Sequence, residues 1–581
     1  MGLLSSLSVP LRYDHGNSGR YLIRVLRAAD PELFPDDPVA DSLERFHSLF
    51  YDVLAEGARR AAIAPDEVEG LFVWLYGISR VLTILLVMAV AGEIDRDPVT
   101  VLWLGAWGCF TKSVPIGGDS LFVNVVTHGT VSFLLGAGAV WALLAGRRLG
   151  CWILLAVSLF VHPLMALHLA LCLAPAQIVL RRRIDRIDVV GGIVFLVALA
   201  ICSTTIPSLS AGEADLLVAT KGAINHVALS AQGGLSWLKE TVIVLVAVSA
   251  WWKTRGSAPS AGRDLLVLAV VCGAGAACLL SMAANGLGSA RLVQLQPLRI
   301  FLWIHWLCFT LIASVAVRAW RRREPEAAPL AVFFVLSLIP TLWQYLFGTL
   351  ALGALAVPRW RRAWIWATGI GVALVAAGWL SRDLYPSLET LRHPLVPALA
   401  LLGLGAYGWA GVGQARHRAG LAAALLTVAC GISAVSWHRY YDGRSYPRWG
   451  PSFHGRVDAD WDVARRWIAS RTPKNARFLV AGGRGNFRTL ALRVGIGEPS
   501  SALAWVDPRL YRQVESIGGE VARSRVGGRW CLKRLAEMAL RYDASYFLTE
   551  GETSASTAAP RFEIGAYRIY RAVDLRDRGE Q

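Results

Sequence analysis

Long apolar segments alternate with short polar or basic ones between residues 71 and 436. An apolar run of about 17–25 residues matches the hydrocarbon core of a bilayer, and basic residues between such runs are typical of cytoplasmic loops. The pattern therefore predicts a polytopic membrane protein. The apolar segments are 71–92, 99–111, 121–145, 149–180, 188–206, 236–252, 265–284, 298–318, 328–357, 363–380, 395–412 and 419–436.

Two of these segments are too long for one crossing. The segment 149–180 begins and ends at arginine clusters and contains His162-Pro163 near its middle, where proline interrupts a helix. We predict a hairpin of two short helices there, and another in 328–357, which is also bounded by arginines. The chain is then an all-α membrane bundle of about 11–14 transmembrane helices, some of them short or broken.

One topology places every basic cluster in the cytoplasm. It makes the protein a multi-pass component of a bacterial inner membrane and predicts which segments face the periplasm. These are 1–70, 112–120, the turn at His162, 207–235, 285–297, 381–394 and 437–581.

The first 70 residues have no apolar span before them in this topology. Met1–Leu11 is apolar but too short to cross a bilayer, and it lacks the basic start and cleavage site of a signal peptide. We therefore expect either that a helix precedes the given start or that the helix at 71–92 inserts with its N-terminus outside.

The pattern changes from about residue 440 onward. Asp460–Ser470 has helical spacing, Arg477–Ala481 has the pattern of a strand, and a second helix is predicted at Trp530–Arg541. A strand at Ser545–Leu548 and a hairpin across Phe562–Ala572 follow. The three predicted parts are an acidic external N-terminal segment (1–70), a transmembrane domain (71–436) and a periplasmic α/β domain (437–581).

The composition excludes a chain that is soluble throughout. Hydrophobic residues make up 55% and charged residues 17%, and the mean hydropathy is +0.45. The net charge of +17 divides into −5 for residues 1–70, +13 for 71–436 and +9 for 437–581. Much of the basic charge lies in inter-helix loops, so the predicted partner is the lipid bilayer and not nucleic acid. The chain has no CxxC motif or Cys/His cluster, so neither a disulfide framework nor a zinc site is predicted.

Carboxylates in the N-terminal segment are the first candidates for chemistry. Asp14, Asp36 and Asp37 are candidate catalytic residues, because a carboxylate at the membrane surface can act as a general base or hold a divalent cation against a diphosphate. His47 lies in the same segment and is a candidate for binding substrate. The alternative interpretation is a solvated acidic loop, in which Asp37-Pro38 starts a helix.

Histidine and arginine at predicted periplasmic helix ends form the second group. His162 lies at a turn that can line a cavity, and His226 follows Asn225 in an external loop. For His128 and His168 we expect only hydrogen bonds between helices.

Arg299 follows Pro297 at the predicted periplasmic start of a helix. An arginine there opposes the helix dipole unless an anion is bound, and guanidinium and helix N-terminus together can hold a phosphate. The alternative is a side chain that extends to the lipid headgroups.

Several short motifs resemble those of a known group of proteins. They are Tyr21-Leu22 after an acidic loop, Phe34-Pro35-Asp36-Asp37, Phe46-His47 with Phe50-Tyr51, Val161-His162-Pro163-Leu164, Asn225-His226, Leu298-Arg299, and the tail pattern Trp461…Ala464-Arg465-Arg466-Trp467-Ile468…Thr472-Pro473…Phe478-Leu479. With them the chain resembles uncharacterised bacterial polytopic membrane proteins that are distantly similar to GT-C type glycosyltransferases. In GT-C enzymes an acidic residue of the first external loop is the base or a metal ligand, and the donor is a polyprenyl-phosphate or polyprenyl-diphosphate sugar. The resemblance implies that role for Asp36 or Asp37, or for Asp14.

The leading hypothesis is a GT-C-like glycosyltransferase that acts on a polyprenyl-phosphate-linked sugar at the periplasmic face. In this hypothesis Arg299 holds phosphate, and His162 and His226 position substrate. One alternative is a non-catalytic subunit of an envelope polysaccharide assembly system, whose periplasmic tail docks a protein partner. Another is a lipid or glycan transporter. The sequence identifies no cofactor, and a divalent cation is the candidate to test.

Overall fold

The computed structural model describes most of the chain outside one long stretch, 371–458. The described residues are 22–45, 48–110, 115–116, 126–205, 209–220, 227, 234–255, 260–324, 326–336, 343–357, 363–364, 366–370, 459–482, 487–498, 503–554 and 559–576. The fold is mainly helical, with a small sheet near the C-terminus.

Three short helices form the described part of the N-terminal segment, residues 22–45 and 48–70. Asp37 caps the second of them by accepting from the Val39 N–H, and Pro38 occupies its first position, where no backbone donor is needed. The helices are α1 (Ile23–Ala29), α2 (Pro38–Glu44) and α3 (Leu49–Arg60).

A bundle of apolar helices follows. Its helices are α4 (Val68–Ile94), α5 (Pro98–Phe110), α6 (His128–Leu144), α7 (Arg148–Val161), α8 (Pro163–Arg181), α9 (Arg186–Thr205), α10 (Ala211–Thr220), α11 (Gly234–Arg255), α12 (Ala261–Gly286), α13 (Ala290–Gln294), α14 (Ile300–Arg321), α15 (Ala327–Leu336) and α16 (Trp343–Ala356).

Six helical stretches among the described residues are long and apolar enough to cross a membrane. They are α4, α8, α9, α11, α12 and the stretch Ala290–Arg321, which contains α14. The first five keep many side chains on the bundle surface, whereas the apolar window of Ala290–Arg321 is entirely buried. α14 is therefore the central helix, and the arrangement is compatible with a multi-pass membrane protein.

The C-terminal domain combines a five-stranded sheet with helices. The strand order is β2-β1-β5-β7-β6; β1 pairs in parallel with both neighbours, and the other pairs are antiparallel. Its elements are α17 (Ala459–Arg471), β1 (Arg477–Ala481), α18 (Phe487–Ala491), β2 (Val494–Ile496), α19 (Leu503–Val506), α20 (Pro508–Arg523), β3 (Arg525–Val526), β4 (Arg529–Trp530), α21 (Leu532–Arg541), β5 (Tyr546–Glu550), β6 (Phe562–Ile564), β7 (Tyr567–Arg571) and α22 (Ala572–Arg576).

The N-terminal segment and the C-terminal domain share one hydrophobic core. Leu26 and Phe34 belong to the same buried cluster as Trp461, Phe478 and Ile569, and none of these five side chains is more than 2% exposed. The opposite face of the sheet packs separately on α20 and α21. The first and last parts of the chain therefore form one folded unit, and the core of the tail is incomplete without residues 22–76.

Several predicted elements match the structure closely. α7 and α8 meet at His162 as the proline predicted, β1 spans the predicted strand, and β6 and β7 form the predicted hairpin. The predicted helix at Trp530–Arg541 begins two residues later, because Trp530 pairs with Arg525 in the β3–β4 hairpin. That hairpin, β2 and α20 were not predicted. The predicted segments 395–412 and 419–436 lie outside the described residues.

Candidate functional site

Three histidines and one arginine meet at one end of the helical bundle. We call His128, His162, His168 and Arg299 the imidazole cluster. His128 begins α6, His162 joins α7 to α8, and Arg299 immediately precedes α14. Ion-paired arginines lie at the opposite ends of these helices: Arg148 binds Asp185 and Asp188, and Arg321 binds Asp97.

Local sequence explains why these side chains face one another. Thr127 and Thr130 form a capping box that starts α6 at His128. His162 has an extended backbone, because Pro163 disfavours the helical conformation in the preceding residue. Gln296, in the left-handed region at φ 47°, turns the chain immediately before Pro297 and Arg299. The cap, the break and the turn thus place His128, His162 and Arg299 at the same end of the bundle, and His168 follows in α8, six residues after His162.

The cluster is compact and largely buried. The rings of His128 and His162 lie 4.5 Å apart, and His168 Nε2 lies 2.8 Å from the Leu295 carbonyl oxygen. The charge of Arg299 interacts with all three imidazoles. His128, His162 and His168 are at most 6% exposed. The partner of His168 is the carbonyl of Leu295, which follows α13 and is not itself in a helix, and the same imidazole also adjoins Arg299.

Two imidazole nitrogens and one amide oxygen in this region have no hydrogen-bond partner within the described part of the chain. They are Nδ1 of His162, Nδ1 of His168 and Oε1 of Gln296. Buried polar atoms in native proteins are nearly always paired with protein, water or ligand. Gln296 Oε1 is an acceptor, and His168 donates its Nε2 proton to the Leu295 carbonyl, so neither unpaired atom of these two residues donates from a neutral side chain. His162 Nδ1 and the Arg299 guanidinium are the groups suited to an anionic oxygen.

The N-terminal segment lies over the cluster through α3. The Ser48 hydroxyl donates to the Val161 carbonyl at 2.7 Å, beside the break at His162. The Tyr51 hydroxyl lies 3.5 Å from His128 Nδ1. Phe50 and Phe72 belong to the aromatic packing around Tyr51. Position 51 was predicted only as part of a motif, and its contact with His128 was not foreseen.

Asp37 lies in a buried ion pair that joins the two ends of the chain. Its Oδ2 lies 2.6 Å from Arg488 Nε, and Glu498 Oε2 lies 2.7 Å from Nη1 of the same arginine. Burial lowers the pKa of Arg488, and the charges of Asp37 and Glu498 outweigh burial and raise it. Asp37 therefore caps α2 and neutralises Arg488, which matches the helix-start alternative.

Asp36 differs from its neighbour. It is exposed and lies in the left-handed region at φ 52°, as does the buried Phe34 at φ 57°. Arg27 fixes this turn by donating to the carbonyls of Leu33 and Phe34 at 3.3 and 2.6 Å. Such backbone conformations in non-glycine residues persist only where the surroundings hold them. The turn therefore presents the Asp36 carboxylate to solvent on a fixed backbone.

The structure brings together only some of the predicted site residues. His162 and Arg299 meet in the imidazole cluster, and Asp36 and Asp37 lie in the N-terminal segment, which contacts the cluster through α3. Asp14, His47, Asn225 and His226 lie outside the described residues. Within the residues that the structure describes, no group of three or more His, Cys, Asp or Glu side chains could hold a metal ion.

A second polar cluster inside the bundle was missed by the sequence analysis. Glu240 of α11 is 1% exposed and lies 3.2 Å from Nδ1 of His305 in α14. The Ile116 N–H also donates to Glu240, at 3.2 Å. The sequence contained one signal for this cluster, since Glu240 lies within the apolar segment 236–252. A charged residue inside a membrane is energetically costly and usually has a partner.

No protein-family model matches the chain, and no curated protein is significantly similar to it in sequence.

Proposed function

We propose that the protein is a membrane glycosyltransferase that acts on a polyprenyl-phosphate-linked sugar at the periplasmic face of a bacterial inner membrane. The observation that carries the proposal is the position of Arg299 within electrostatic range of three buried histidines, at the bundle end opposite the arginine-rich loops. If those loops are cytoplasmic, the imidazole cluster faces the periplasm.

The chemistry of the cluster suits the phosphate of such a donor. A guanidinium can bind two phosphate oxygens at once, and an imidazole N–H can donate to a third. Arg299 ends a short 3-10 helix, Pro297–Arg299, that continues into α14. The backbone N–H of Arg299 donates to the Gln296 carbonyl and that of Ile300 to the Pro297 carbonyl, so the guanidinium, and not the helix start, is the group that would bind the phosphate. The apolar surfaces of the neighbouring helices provide a suitable environment for a polyprenyl chain. The resemblance to GT-C glycosyltransferases supports the same class of donor.

The catalytic base in this proposal comes from the acidic N-terminal segment. The Asp37 carboxylate already binds Arg488 and the start of α2, so activating an acceptor hydroxyl would disrupt both interactions. Asp36 is exposed on a fixed turn and Asp14 lies in the same segment, so they are the candidate bases. We also propose that these carboxylates can bind a divalent cation, which a measurement of metal binding would test.

A non-catalytic role in envelope polysaccharide assembly is the second candidate. The observation that favours it is the structural use of Asp37, which the resemblance had implied as a base or metal ligand. Under this proposal the imidazole cluster binds the lipid phosphate without transferring the sugar. The C-terminal domain would then present that lipid to a partner protein.

Binding of polyprenyl phosphate to the purified protein tests the role of Arg299. Lysine keeps the charge but loses the bidentate geometry, so Arg299→Lys should weaken binding and Arg299→Gln should largely abolish it. Arg291→Gln is the matched control, because Arg291 is exposed on the neighbouring helix α13. Equal affinities for wild type, Arg299→Lys and Arg299→Gln would remove Arg299 from the site.

A further inference from the structure

A concentrated positive charge lies on a part of the C-terminal domain that the imidazole cluster and the acidic turn do not use. The stretch 523–534 contains five basic residues and no acidic one. All five side chains are exposed, and we call this region the basic hairpin surface: Arg523, Arg525, Arg529, Lys533 and Arg534. Arg529 also pairs with the exposed Glu552 at 2.9 Å.

The basic hairpin surface projects from a well-defined turn. Gly527 and Gly528 turn the β3–β4 hairpin with φ values of 57° and 82°, which glycine adopts without strain. Val526 is 59% exposed at this turn, while Trp530 is buried in the domain. The Arg525 guanidinium lies 5.3 Å from the centroid of the Trp530 ring and donates to the Gly528 carbonyl at 2.9 Å. The exposed apolar side chain of Val526 therefore lies between Arg525 and Arg529 in the hairpin.

The domain is attached beside the end of an apolar helix of the bundle. The helix α20 packs on α10, where the Arg509 guanidinium in its first turn lies against Gly212. The other end of α20 leads directly into the hairpin. α10 follows α9, one of the helices that could cross a membrane. If α9 lies in a bilayer, the domain is held close to the bilayer surface.

We propose that the basic hairpin surface binds anionic phospholipid headgroups of the surrounding bilayer. Arginine and lysine side chains near an anionic membrane surface are attracted to its phosphates. An exposed apolar residue between them is typical of surfaces that insert at the boundary of headgroups and acyl chains. A soluble polyanion would engage the same charges but would leave Val526 in water. The proposal requires that the apolar helices lie in a bilayer and is independent of sugar transfer.

Hydrogen exchange of the full-length protein in lipid nanodiscs tests this proposal. The readout is the exchange rate of the backbone amides of residues 525–530, compared between discs of zwitterionic lipid and discs that also contain anionic phospholipid. We expect exchange to be several-fold slower with anionic lipid, and the difference to decrease at high salt, because salt screens exposed charges. The amides of β5 are the internal control and should exchange at the same rate in both discs.

Two variants separate lipid binding from an effect on folding. Lys533→Gln with Arg534→Gln lies outside the measured hairpin and should remove the protection. Arg471→Gln with Arg512→Gln removes the same charge from exposed positions elsewhere on the domain and should keep it. Equal exchange in both lipids would overturn the proposal. Protection by added soluble heparin, without protection by anionic lipid, would also overturn it and would indicate a polyanion site.

Discussion

At Asp37, one carboxylate accepts hydrogen bonds from its own helix and from Arg488, 451 residues away in the sequence. Residue type and position suggested a general base or a metal ligand, because an acidic residue beside a proline in an external loop is compatible with catalysis as well as with a helix cap. Spacing along the chain carries no information about a partner so distant. The cap could be predicted from Asp37-Pro38, whereas the ion pair could be found only in the folded structure.

Removing one member of this buried pair should destabilise the protein strongly. Breaking such a pair typically costs about 3–5 kcal/mol, because the remaining charge stays buried without its partner. We expect Asp37→Asn and Arg488→Gln each to lower the thermal unfolding temperature of the purified protein. Their combination should lose less than the sum of the two, which a double-mutant cycle measures. Asp36→Asn is the control, and strictly additive effects at 37 and 488 would contradict the account.

Glu240 permits a similar test inside the bundle. Glu240→Leu leaves His305 and the Ile116 N–H without this acceptor, so we expect a loss of about 3 kcal/mol or more. Glu240→Gln keeps an acceptor oxygen and should lose less. The control is Glu93→Gln at an exposed position of α4, where an effect within about 0.5 kcal/mol is expected. If all three variants unfold at the wild-type temperature in detergent, Glu240 does not stabilise the bundle.

At the level of elements, hydropathy predicted where the bundle helices lie, and proline predicted the break at His162. It could not predict that α14 would be the buried centre, because α14 is as apolar as helices that lie at the surface. Small residues allow neighbouring helices to pack closely against α14. In α6, Gly136 lies so close to Trp303 of α14 that a methyl group at position 136 would overlap the indole ring. Trp303 in turn donates to the Met165 carbonyl of α8 at 3.0 Å.

Gly136→Ala should therefore destabilise the contact between α6 and α14. Added volume in a well-packed core typically costs about 1–3 kcal/mol, which exceeds the gain of roughly 0.5–1 kcal/mol from alanine in a helix. Gly275→Ala in α12 is the matched control, since nothing lies within 4 Å of its added methyl group, and it should be neutral or stabilising. The measurement is the unfolding temperature in detergent. A Gly136→Ala protein as stable as Gly275→Ala would show that the contact can relax.

At the level of the whole molecule, residues 22–69 of the N-terminal segment pack against the C-terminal domain. Five described polar contacts join residues 30–69 to the tail: Asp30 and Glu32 with Lys474, Asp37 with Arg488, Ser42 with Asp507, and Glu69 with Arg465. The sequence analysis predicted a tail packed on external loops, and the structure adds a core shared with the N-terminal segment. If the bundle spans a membrane, both ends of the chain must lie on the same side.

Reporter fusions test the topology. A fusion at residue 500 should report the periplasm and a fusion at residue 320 the cytoplasm, because α14 runs from the imidazole cluster to the arginine-rich end. A fusion near residue 30 should report the same side as residue 500. If residues 320 and 500 report the same side, the proposed position of the cluster at the periplasmic face is wrong.

Sugar transfer by the purified protein tests the central claim most directly. The assay supplies polyprenyl-phosphate sugars as donors and isolated envelope glycans as acceptors, and it measures the transferred sugar. The account predicts transfer by the wild type and by Arg291→Gln, and loss of transfer in Arg299→Gln at unchanged protein stability. Transfer at the wild-type rate in Arg299→Gln would contradict the account. Binding of the donor lipid without transfer by the wild type would contradict it in favour of the non-catalytic role.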